Sequence, residues 1–385
     1  MKYFIKLRNL LNYFVYLIID LFLPLGQNTN SNTLLIIRLD AIGDYLLFRN
    51  FLSVIRASRK YKDYEITLCG NIVWKDLSET LDRNLIDEFI WLDRGKFYKD
   101  ISYKFNFLKK IRSKGFEIVI SATYSREILY DDLIVNSSRA KRKIGSEGSK
   151  DSYVKWKRNL FTDKYYTKLI SISGSDIFEF NYNQNFWEII LEEPIEIKAP
   201  QINPSEISPD FIPSNPFVVL FPGASRKEKI WSYNNFKEIA EFLIKEYSYN
   251  IVLTGGEKEK ENSLKLSNSL PSERVFNLTS KTTLPSLAKI ISESGLLISN
   301  DTAAVHLATS VKKTFVCLSN GERFGRFHPY PPEIFDKAYY IYPPEIMNNL
   351  DNIDLLKNKY RFSSDLDINE IKPDTVKEVI NKILG

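Results

Sequence analysis

Residues 34–44 read Leu-Leu-Ile-Ile-Arg-Leu-Asp-Ala-Ile-Gly-Asp, a short apolar run followed by a polar turn that contains one glycine. An uninterrupted apolar run of this length is typical of a β-strand buried on both faces of a sheet. A helical pattern follows over residues 45–59, and a second apolar run follows over residues 65–69. This order predicts a βαβ unit and therefore a parallel sheet with helices packed against it.

The same alternation continues along the chain and predicts an α/β protein with two Rossmann-like domains. Further strands of the first domain are predicted over residues 88–92 and 116–122, with a basic helix over 105–114 between them. In the second half, strands are predicted over 217–221, 250–254, 275–278, 295–299 and 313–318. Helices are predicted there over 234–247, 257–270, 284–294, 303–310 and 373–384. Ligands of such folds bind in the crevice at the carboxyl ends of the strands, which predicts a cleft between the two domains.

Prolines mark the boundary between the halves. Six of them fall between residues 191 and 216, where they stiffen the chain and prevent a helix from continuing. We therefore predict a Pro-rich connector over 196–216. It would join an N-terminal domain, 34–195, to a C-terminal domain, 217–385, with residues 1–33 preceding both.

Composition limits the class of protein. The chain has 385 residues, 44% hydrophobic and 26% charged, which is ordinary for a globular protein of two domains. Cys69 and Cys317 each lie in an apolar run and are expected to be buried free thiols, as in a reducing compartment. The two histidines form no Cys/His cluster, so no metal site is expected. A net charge of +5 suits an acidic partner or is plain surface charge, and it is too small to favour nucleic acid as a partner.

The N-terminal segment is the one that bears on membranes. Residues 3–25 read YFIKLRNLLNYFVYLIIDLFLPL, an apolar stretch with basic residues near its start, interrupted by Asn12 and Asp20. Its uninterrupted part is shorter than the roughly 20 residues that a span needs. Three readings stay open: a helix lying in the membrane interface, a helix packed on its own domain, or a true span. Residues 26–33, GQNTNSNT, are expected to separate this helix from the folded body.

Four loops lie at predicted strand ends and carry polar groups suited to chemistry. In the first, Asp44 stands at a helix start, where a carboxylate caps the helix or acts as a general base. The second, residues 221–231, follows a Pro-Gly turn with a hydroxyl and several cations that suit a diphosphate. The third, residues 255–259, has a glycine pair and a carboxylate that binds a ribose or belongs to a surface Glu/Lys pair. The fourth, residues 299–308, begins a helix whose N-terminus suits a phosphate.

In this order, the four loops resemble glycosyltransferase family 9, the lipopolysaccharide heptosyltransferase family. The resemblance covers about residues 34–384 and rests on RLD-x-IGD, PGAS-x4-K-x-W, GG-x2-E and NDT-x3-HLA. It implies a GT-B fold and an inverting mechanism that uses no metal and no cofactor. The N-terminal domain would bind the acceptor, and the C-terminal domain would bind a nucleotide-activated sugar, with ADP-heptose as the family expectation.

The resemblance also implies roles for individual residues. Asp44 would deprotonate the acceptor hydroxyl, and Lys229 would neutralise the departing diphosphate. Ser225 would contact a phosphate. Glu259 would contact the ribose, with Glu257 as its competitor.

In the fourth loop, Asp301 and Thr302 would contact the donor sugar and the diphosphate, beside Ala303. His306 matches the family histidine, either at the site or as a buried residue behind it. The family often has glycine where this chain has Ala303. Either the extra methyl group leaves less room for the diphosphate beside the backbone, or the chain belongs to another subgroup. The run 45–50 also departs from the family pattern, which leaves the acceptor open. The basic region 124–166 is either a solvated surface or a rim that faces the acceptor.

Together these features predict transfer of a sugar, heptose by family expectation, to a cell-surface glycan or lipid-linked acceptor. The expected location is the cytoplasm, at the inner face of the cell membrane. The main alternative is a catalytically weak nucleotide-sugar or glycan-binding protein on the same scaffold. An epimerase or phosphorylase of similar fold is the second alternative.

Overall fold

The computed structural model describes residues 2–24, 29–148, 152–172, 177–209, 211–213 and 216–385. Side chains are described from Arg8 onward in the first helix and from Lys155 onward in the helix that starts at Ser152. Parts of the predicted linker 26–33 and of the predicted connector 196–216 lie outside the described residues. The chain divides into unit 1, Met1–Ser175 with Asn181–Glu196, and unit 2, Asp176–Phe180 with Ile197–Gly385.

Unit 1 alternates strands and helices from its first strand onward. Its elements are α1 (Lys2–Phe22), β1 (Thr33–Arg38), α2 (Ile42–Leu46), α3 (Phe51–Ala57), β2 (Glu65–Asn71), α4 (Lys75–Leu81), β3 (Glu88–Leu92), α5 (Arg94–Lys99), α6 (Ile101–Ser113), β4 (Ile118–Ser121), α7 (Leu133–Ser137), β5 (Arg142–Ser146), α8 (Ser152–Phe161), β6 (Lys168–Ile170) and α9 (Glu179–Leu191).

Unit 2 repeats the alternation and ends in helices. Its elements are β7 (Phe217–Phe221), α10 (Tyr233–Tyr247), β8 (Asn250–Leu253), α11 (Lys260–Asn268), β9 (Val275–Asn277), α12 (Leu284–Glu293), β10 (Leu296–Asn300), α13 (Ala303–Ser310), β11 (Phe315–Leu318), β12 (Ala338–Ile341), α14 (Pro344–Met347), α15 (Ile353–Tyr360) and α16 (Pro373–Leu384).

Each unit is built on a six-stranded parallel sheet. The order is β3-β2-β1-β4-β5-β6 in unit 1 and β12-β11-β10-β7-β8-β9 in unit 2. Both are the Rossmann order, in which the chain reverses direction across the sheet between the first and fourth strands of the set. The predicted α/β class with two Rossmann-like domains is therefore confirmed. The reversal lies between β1 and β4 in unit 1, and between β7 and β10 in unit 2.

The predicted helix over residues 45–59 is broken in two. Helix α2 ends at Leu46 and α3 begins at Phe51, with a turn between them. The residues from Tyr45 to Phe48 are all fully buried, which a continuous helix with one apolar face cannot achieve. The break therefore allows four consecutive large side chains to be buried within unit 1.

Helix α1 is part of the core of unit 1. Tyr13, Tyr16, Ile19 and Leu23 are buried against residues of the sheet and of α6 and α7. The Tyr13 hydroxyl lies 2.6 Å from that of Tyr165. Residues 26–33 were expected to separate this helix from the folded body. Instead, one apolar face of the helix packs on the domain, and a second apolar face lies on the other side.

Charged groups fix the C-terminal half of α1. The Asp20 carboxylate pairs with Arg112 and also lies 2.7 Å from Arg139. The Arg112 guanidinium is nearly fully buried and donates further to the carbonyls of Asp20 and Leu23. No described helix is long and apolar enough to cross a membrane.

We expect Asp20→Asn to destabilise unit 1, because Arg112 would keep its charge in a buried place without a carboxylate. The expected loss in the free energy of unfolding is about 2 kcal/mol, measured by urea denaturation. Asp63→Asn, at an exposed position, is the control and should change it by less than about 0.5 kcal/mol. Equal stabilities of the two variants would contradict the proposed anchoring of α1.

Candidate functional site

In unit 2, the loops after β7 and β10 flank the reversal in strand order, and Asn300 ties them together. This buried side chain at the end of β10 donates to the carbonyls of Pro222, at 2.8 Å, and Gly223, at 3.1 Å. Its own carbonyl oxygen accepts from the backbone N–H of Trp231 at 3.1 Å. The second and fourth predicted loops are thus held by one amide.

Trp231 anchors the far end of the second loop. The indole is fully buried and donates through Nε1 to the carbonyl of Ile371 at 2.8 Å. Two residues earlier in the chain, Lys229 closes a short 3-10 turn, Lys227–Lys229, that begins after the exposed Ser225. The K-x-W spacing therefore serves to fix the position of the lysine.

Lys229 is paired with a carboxylate of the fourth loop. Its Nζ lies 3.0 Å from Oδ2 of Asp301, and both side chains are only 11–12% exposed. Glu322, in the loop after β11, lies 3.9 Å from the same Nζ and pairs with Arg226 as well. The Lys229 ammonium group is therefore held between two carboxylates, while a small part of the side chain stays exposed to solvent.

A buried histidine adjoins this pair. His328 Nε2 lies 3.8 Å from Asp301 Oδ2 and 2.8 Å from the backbone carbonyl of Glu322. Burial lowers the pKa of His328 to about 4, so the ring is neutral at neutral pH. Burial alone would raise the pKa of Asp301, but positive charge on His328, when that ring is protonated, and on Lys229 holds it below its usual value. Lys229 is therefore the cation that faces an ionised Asp301 at neutral pH.

Glu259 reaches toward the Pro-Gly turn of the second loop. Its Oε2 accepts from the backbone N–H of Gly256 at 2.9 Å. A β-carbon on Gly223 would overlap with the Glu259 side chain, lying 2.7 Å from Cδ. Glu257 instead pairs with Lys260 at 3.1 Å on the exposed surface. Of the two acids, Glu259 is therefore the one next to the second loop.

The fourth loop opens helix α13. The Thr302 hydroxyl caps this helix by accepting from the backbone N–H of Ala304 at 3.2 Å, and it lies 3.1 Å from Ser299 Oγ. Ala303 is the first helical residue and is partly exposed. His306 is buried one turn further on, with Nδ1 2.7 Å from the Tyr330 hydroxyl, and burial lowers its pKa to about 4. His306 is thus a neutral ring within the unit.

In unit 1, Arg38 organises the loop that carries Asp44. Its guanidinium is fully buried, lies 2.9 Å from Asp40 Oδ2, and donates to Asn183 at 2.9 Å. It also donates to the backbone carbonyl of Asp44 at 3.4 Å and to that of Ala122, after β4, at 3.2 Å. One arginine thus holds the ends of β1 and β4 together at the reversal point.

Further side chains fix the start of the same loop. Asn71 donates to the carbonyls of Leu39 and Asp40 at 3.1 Å, and the Trp74 indole donates to the carbonyl of Asp40 at 3.2 Å. Asp44 follows in the first turn of α2 and is partly exposed.

The run 45–50, which departs from the family pattern, is largely structural. Tyr45 stacks on Trp74 with ring centroids 3.9 Å apart and donates to Asp82 at 2.6 Å. Arg49 pairs with the same buried Asp82 at 2.7 Å. These contacts fix α2 against α4.

Three residues of these loops were not singled out as site residues from the sequence: Arg38, Glu322 and His328. Arg38 ends β1 and is part of the RLD-x-IGD motif, which marked its position but not its contacts. Glu322 follows β11 without a motif, so no local signal marked it. Among the described residues, no group of three or more His, Cys, Asp or Glu side chains is placed to hold a metal ion. Cys69 and Cys317 are buried and free, as predicted.

We expect Gly223→Ala to lower the free energy of unfolding by about 1 kcal/mol, since the new methyl group makes the partly exposed Glu259 side chain move and give up its hydrogen bond to Gly256. Glu259→Ala should remove most of that loss when combined with Gly223→Ala, because the overlapping atoms are gone. Urea denaturation of the two single variants and the double variant measures this coupling. Additive effects would show that Glu259 does not pack against Gly223.

The family model of glycosyltransferase family 9 (heptosyltransferase) matches residues 105–335 of this chain. Lipooligosaccharide heptosyltransferase 2 of Haemophilus influenzae is 30% identical over 131 residues, which span 33% of this chain and only 36% of that relative. Lipopolysaccharide heptosyltransferase 3 of Escherichia coli is 22% identical over 301 residues, covering 72% of this chain and 79% of the relative.

Solved structures agree in fold. The E. coli heptosyltransferase WaaC with ADP-2-deoxy-2-fluoro heptose superimposes with a TM-score of 0.66 at 14% identity, covering 91% of this chain and 99% of that one. This likeness confirms the fold, which the resemblance had identified as GT-B. Because the family model covers more than half of the sequence, the chain is a glycosyltransferase and belongs to glycosyltransferase family 9, the heptosyltransferase family.

Proposed function

We propose that this protein transfers a sugar, with inversion, from a nucleotide-diphosphate donor to a glycan or lipid-linked acceptor. The observation that carries the proposal is Lys229, held by Asp301 beside the first turn of α13 at the reversal point of unit 2. Ligands of doubly wound sheets bind at this point, and a cation beside a helix N-terminus suits the diphosphate of a donor.

In the proposed reaction, Asp44 takes the proton of the acceptor hydroxyl. The acceptor oxygen then attacks the anomeric carbon while the bond from that carbon to the phosphate oxygen breaks. The nucleoside diphosphate leaves with the bonding electrons, and Lys229 stabilises its added negative charge. Attack opposite the leaving group inverts the configuration of the sugar.

The remaining residues would bind the donor. Glu259 would accept the ribose hydroxyls, and Ser225 and Thr302 would contact phosphates beside the backbone at Ala303. Asp301 would both hold Lys229 and accept a hydroxyl of the donor sugar. Lys229 and the positive end of the α13 dipole would then neutralise the charge of the diphosphate without a metal or a cofactor.

We propose ADP-heptose as the donor. A structure of the same fold is one with ADP-2-deoxy-2-fluoro heptose, and the two curated relatives are named as heptosyltransferases. A thermal-shift panel of ADP-, UDP- and GDP-sugars tests this choice, because a bound donor stabilises the folded state by mass action.

We expect Asp44→Asn to lower turnover by at least about 100-fold with unchanged donor affinity, since it removes the base but not the donor site. Lys229→Ala should lower turnover by about 100-fold or more, since the leaving group loses its cation. Initial rates and donor titrations measure both effects. Lys245→Ala, on the exposed face of α10 and outside the four loops, is the control and should retain near-normal turnover.

Near-normal turnover of Asp44→Asn would remove this residue as the base. Donor binding without transfer to any acceptor in the parent protein would instead support a nucleotide-sugar-binding protein. Transfer that survives EDTA treatment is expected, and loss of activity that returns with a divalent cation would contradict the metal-free mechanism.

We further propose that the outer face of α1 lies on the inner surface of the cell membrane. Opposite its packed face, the helix leaves Leu11, Phe14, Ile18, Leu21 and Phe22 between 52% and 83% exposed. An apolar surface of this kind, on a helix fixed to a folded domain, suits insertion at the level of the lipid head groups. Peripheral attachment would place the enzyme beside a lipid-linked acceptor.

We expect the double change Leu11→Asp and Leu21→Asp to reduce binding to phosphatidylglycerol vesicles by at least about tenfold, since each leucine loses roughly 1.5–3 kcal/mol of burial. Vesicle co-sedimentation measures the bound fraction, and circular dichroism checks the fold. Leu264→Asp, exposed on α11, is the control and should bind as the parent does. Equal binding of all three proteins would contradict docking through α1.

A further inference from the structure

The loop after β11 brings a carboxylate to two cations of the second loop. Glu322 uses a different oxygen for each of them: its Oε1 lies 3.9 Å from Lys229 Nζ, and its Oε2 pairs with Arg226 Nη2. The Glu322 side chain is 13% exposed, whereas that of Arg226 is 53% exposed. One nearly buried carboxylate therefore bridges an inner cation, Lys229, and an outer cation, Arg226.

Hydrogen bonds on both sides fix the backbone of Glu322. Its N–H donates to Asn320 Oδ1 at 3.2 Å, and its carbonyl oxygen lies 2.8 Å from Nε2 of His328. Because only a protonated Nε2 can donate to a carbonyl, Nδ1 of this neutral ring accepts from the Tyr342 hydroxyl, 3.1 Å away. The backbone of Glu322 is thus held from two directions.

The residue after Glu322 shows how closely this turn is determined. Arg323 has φ 72°, in the left-handed region that side chains other than glycine rarely adopt, and its N–H donates to the carbonyl of Tyr360 at 2.9 Å. Such a conformation costs free energy and persists only where the surrounding structure imposes it. The Glu322 side chain has several rotatable bonds, so its carboxylate can leave both cations while the backbone stays in place.

The charges around Lys229 cancel when all four groups are ionised. Lys229 and Arg226 supply two positive charges, and Asp301 and Glu322 supply two negative ones. Asp301 is the inner carboxylate, 3.0 Å from Lys229 Nζ, and Glu322 is the more distant one. An anion that binds to the two cations therefore competes with Glu322 for both of them.

We propose that Glu322 is the counterion that a donor diphosphate replaces, and that Arg226 and Lys229 then bind the phosphates together. The proposal rests on the proposed transferase function for the identity of the anion. A guanidinium suits a phosphate, because its coplanar N–H groups can donate to two oxygens at once. After transfer, the Glu322 carboxylate competes again for the two cations and so favours release of the nucleoside diphosphate.

The test is a calorimetric titration of the full chain and of Glu322→Gln with ADP, inorganic pyrophosphate and adenosine. We expect Glu322→Gln to bind ADP and pyrophosphate at least about tenfold more tightly than the parent, because no carboxylate competes for the cations. The affinity for adenosine, which has no phosphate, should not change. Equal or weaker ADP binding by Glu322→Gln would overturn the proposal, since the loss of a merely structural carboxylate gives no gain in affinity.

Two further variants separate the charge of Glu322 from other effects of the change. Glu322→Asp keeps a carboxylate and should bind ADP less tightly than Glu322→Gln does. Glu273→Gln removes the same charge from an exposed turn before β9, at the opposite end of the strands, and should bind ADP as the parent does. Thermal unfolding checks that each variant folds. A gain in ADP affinity in all three variants would overturn competition by the Glu322 carboxylate.

Arg226→Gln tests the second cation. In the Glu322→Gln background, we expect this change to weaken ADP binding by about tenfold, because the phosphates lose a charged donor. Lys245→Gln, exposed on α10 and outside the four loops, is the control in the same background. Equal ADP affinities with and without Arg226→Gln would rule out this arginine as a phosphate contact.

These titrations need no acceptor, so they separate the counterion from the transferase proposal. Tighter ADP binding by Glu322→Gln would support the counterion even if the parent transferred no sugar. Weaker ADP binding by Lys229→Ala, combined with unchanged binding by Glu322→Gln, would overturn the counterion and leave the donor site in place. Failure of both the parent and Glu322→Gln to bind ADP would overturn both.

Discussion

The ion pair between Lys229 and Asp301 is the interaction on which the proposed donor site of unit 2 depends. A lysine side chain in a loop would be mobile on its own, whereas a carboxylate 3.0 Å away fixes the ammonium group of Lys229. That pair in turn needs the loops after β7 and β10 to stay together, which the buried amide of Asn300 ensures. In the proposed reaction, the departing diphosphate would therefore meet an ordered cation, and little reorganisation would be needed.

In unit 1, an arginine holds the two strand ends at the reversal point together. Arg38 is buried at the end of β1 and bonds to the loop that carries Asp44 and to the end of β4. A buried guanidinium has five donors in a fixed plane, so it can join several carbonyls and carboxylates at once. In both units, a buried polar side chain therefore joins the loops that follow the two central strands of the sheet.

The sequence predicted the regular part of this fold well. Strands β3 and β7 and helices α13 and α16 have the predicted bounds, because the two strands are compact apolar runs and α16 repeats its apolar residues at helical spacing. Strands β5, β6 and β12 were not predicted, since they are short and partly exposed and carry no clear period. The two-faced helix α1 was ambiguous for a related reason: periodicity does not tell which apolar face meets protein and which meets solvent or lipid.

For the site, motifs predicted the loops but not their partners. Glu259 was predicted from the GG-x2-E spacing, but its packing against Gly223 was not. Glu322 and His328 act on Lys229 and Asp301 through tertiary contacts, which no local pattern encodes. A crystal structure with ADP-heptose bound tests the central claim most directly. We expect phosphates within hydrogen-bond distance of Lys229 Nζ and of the first turn of α13, and phosphates that contact neither group would rule out the proposed role of Lys229.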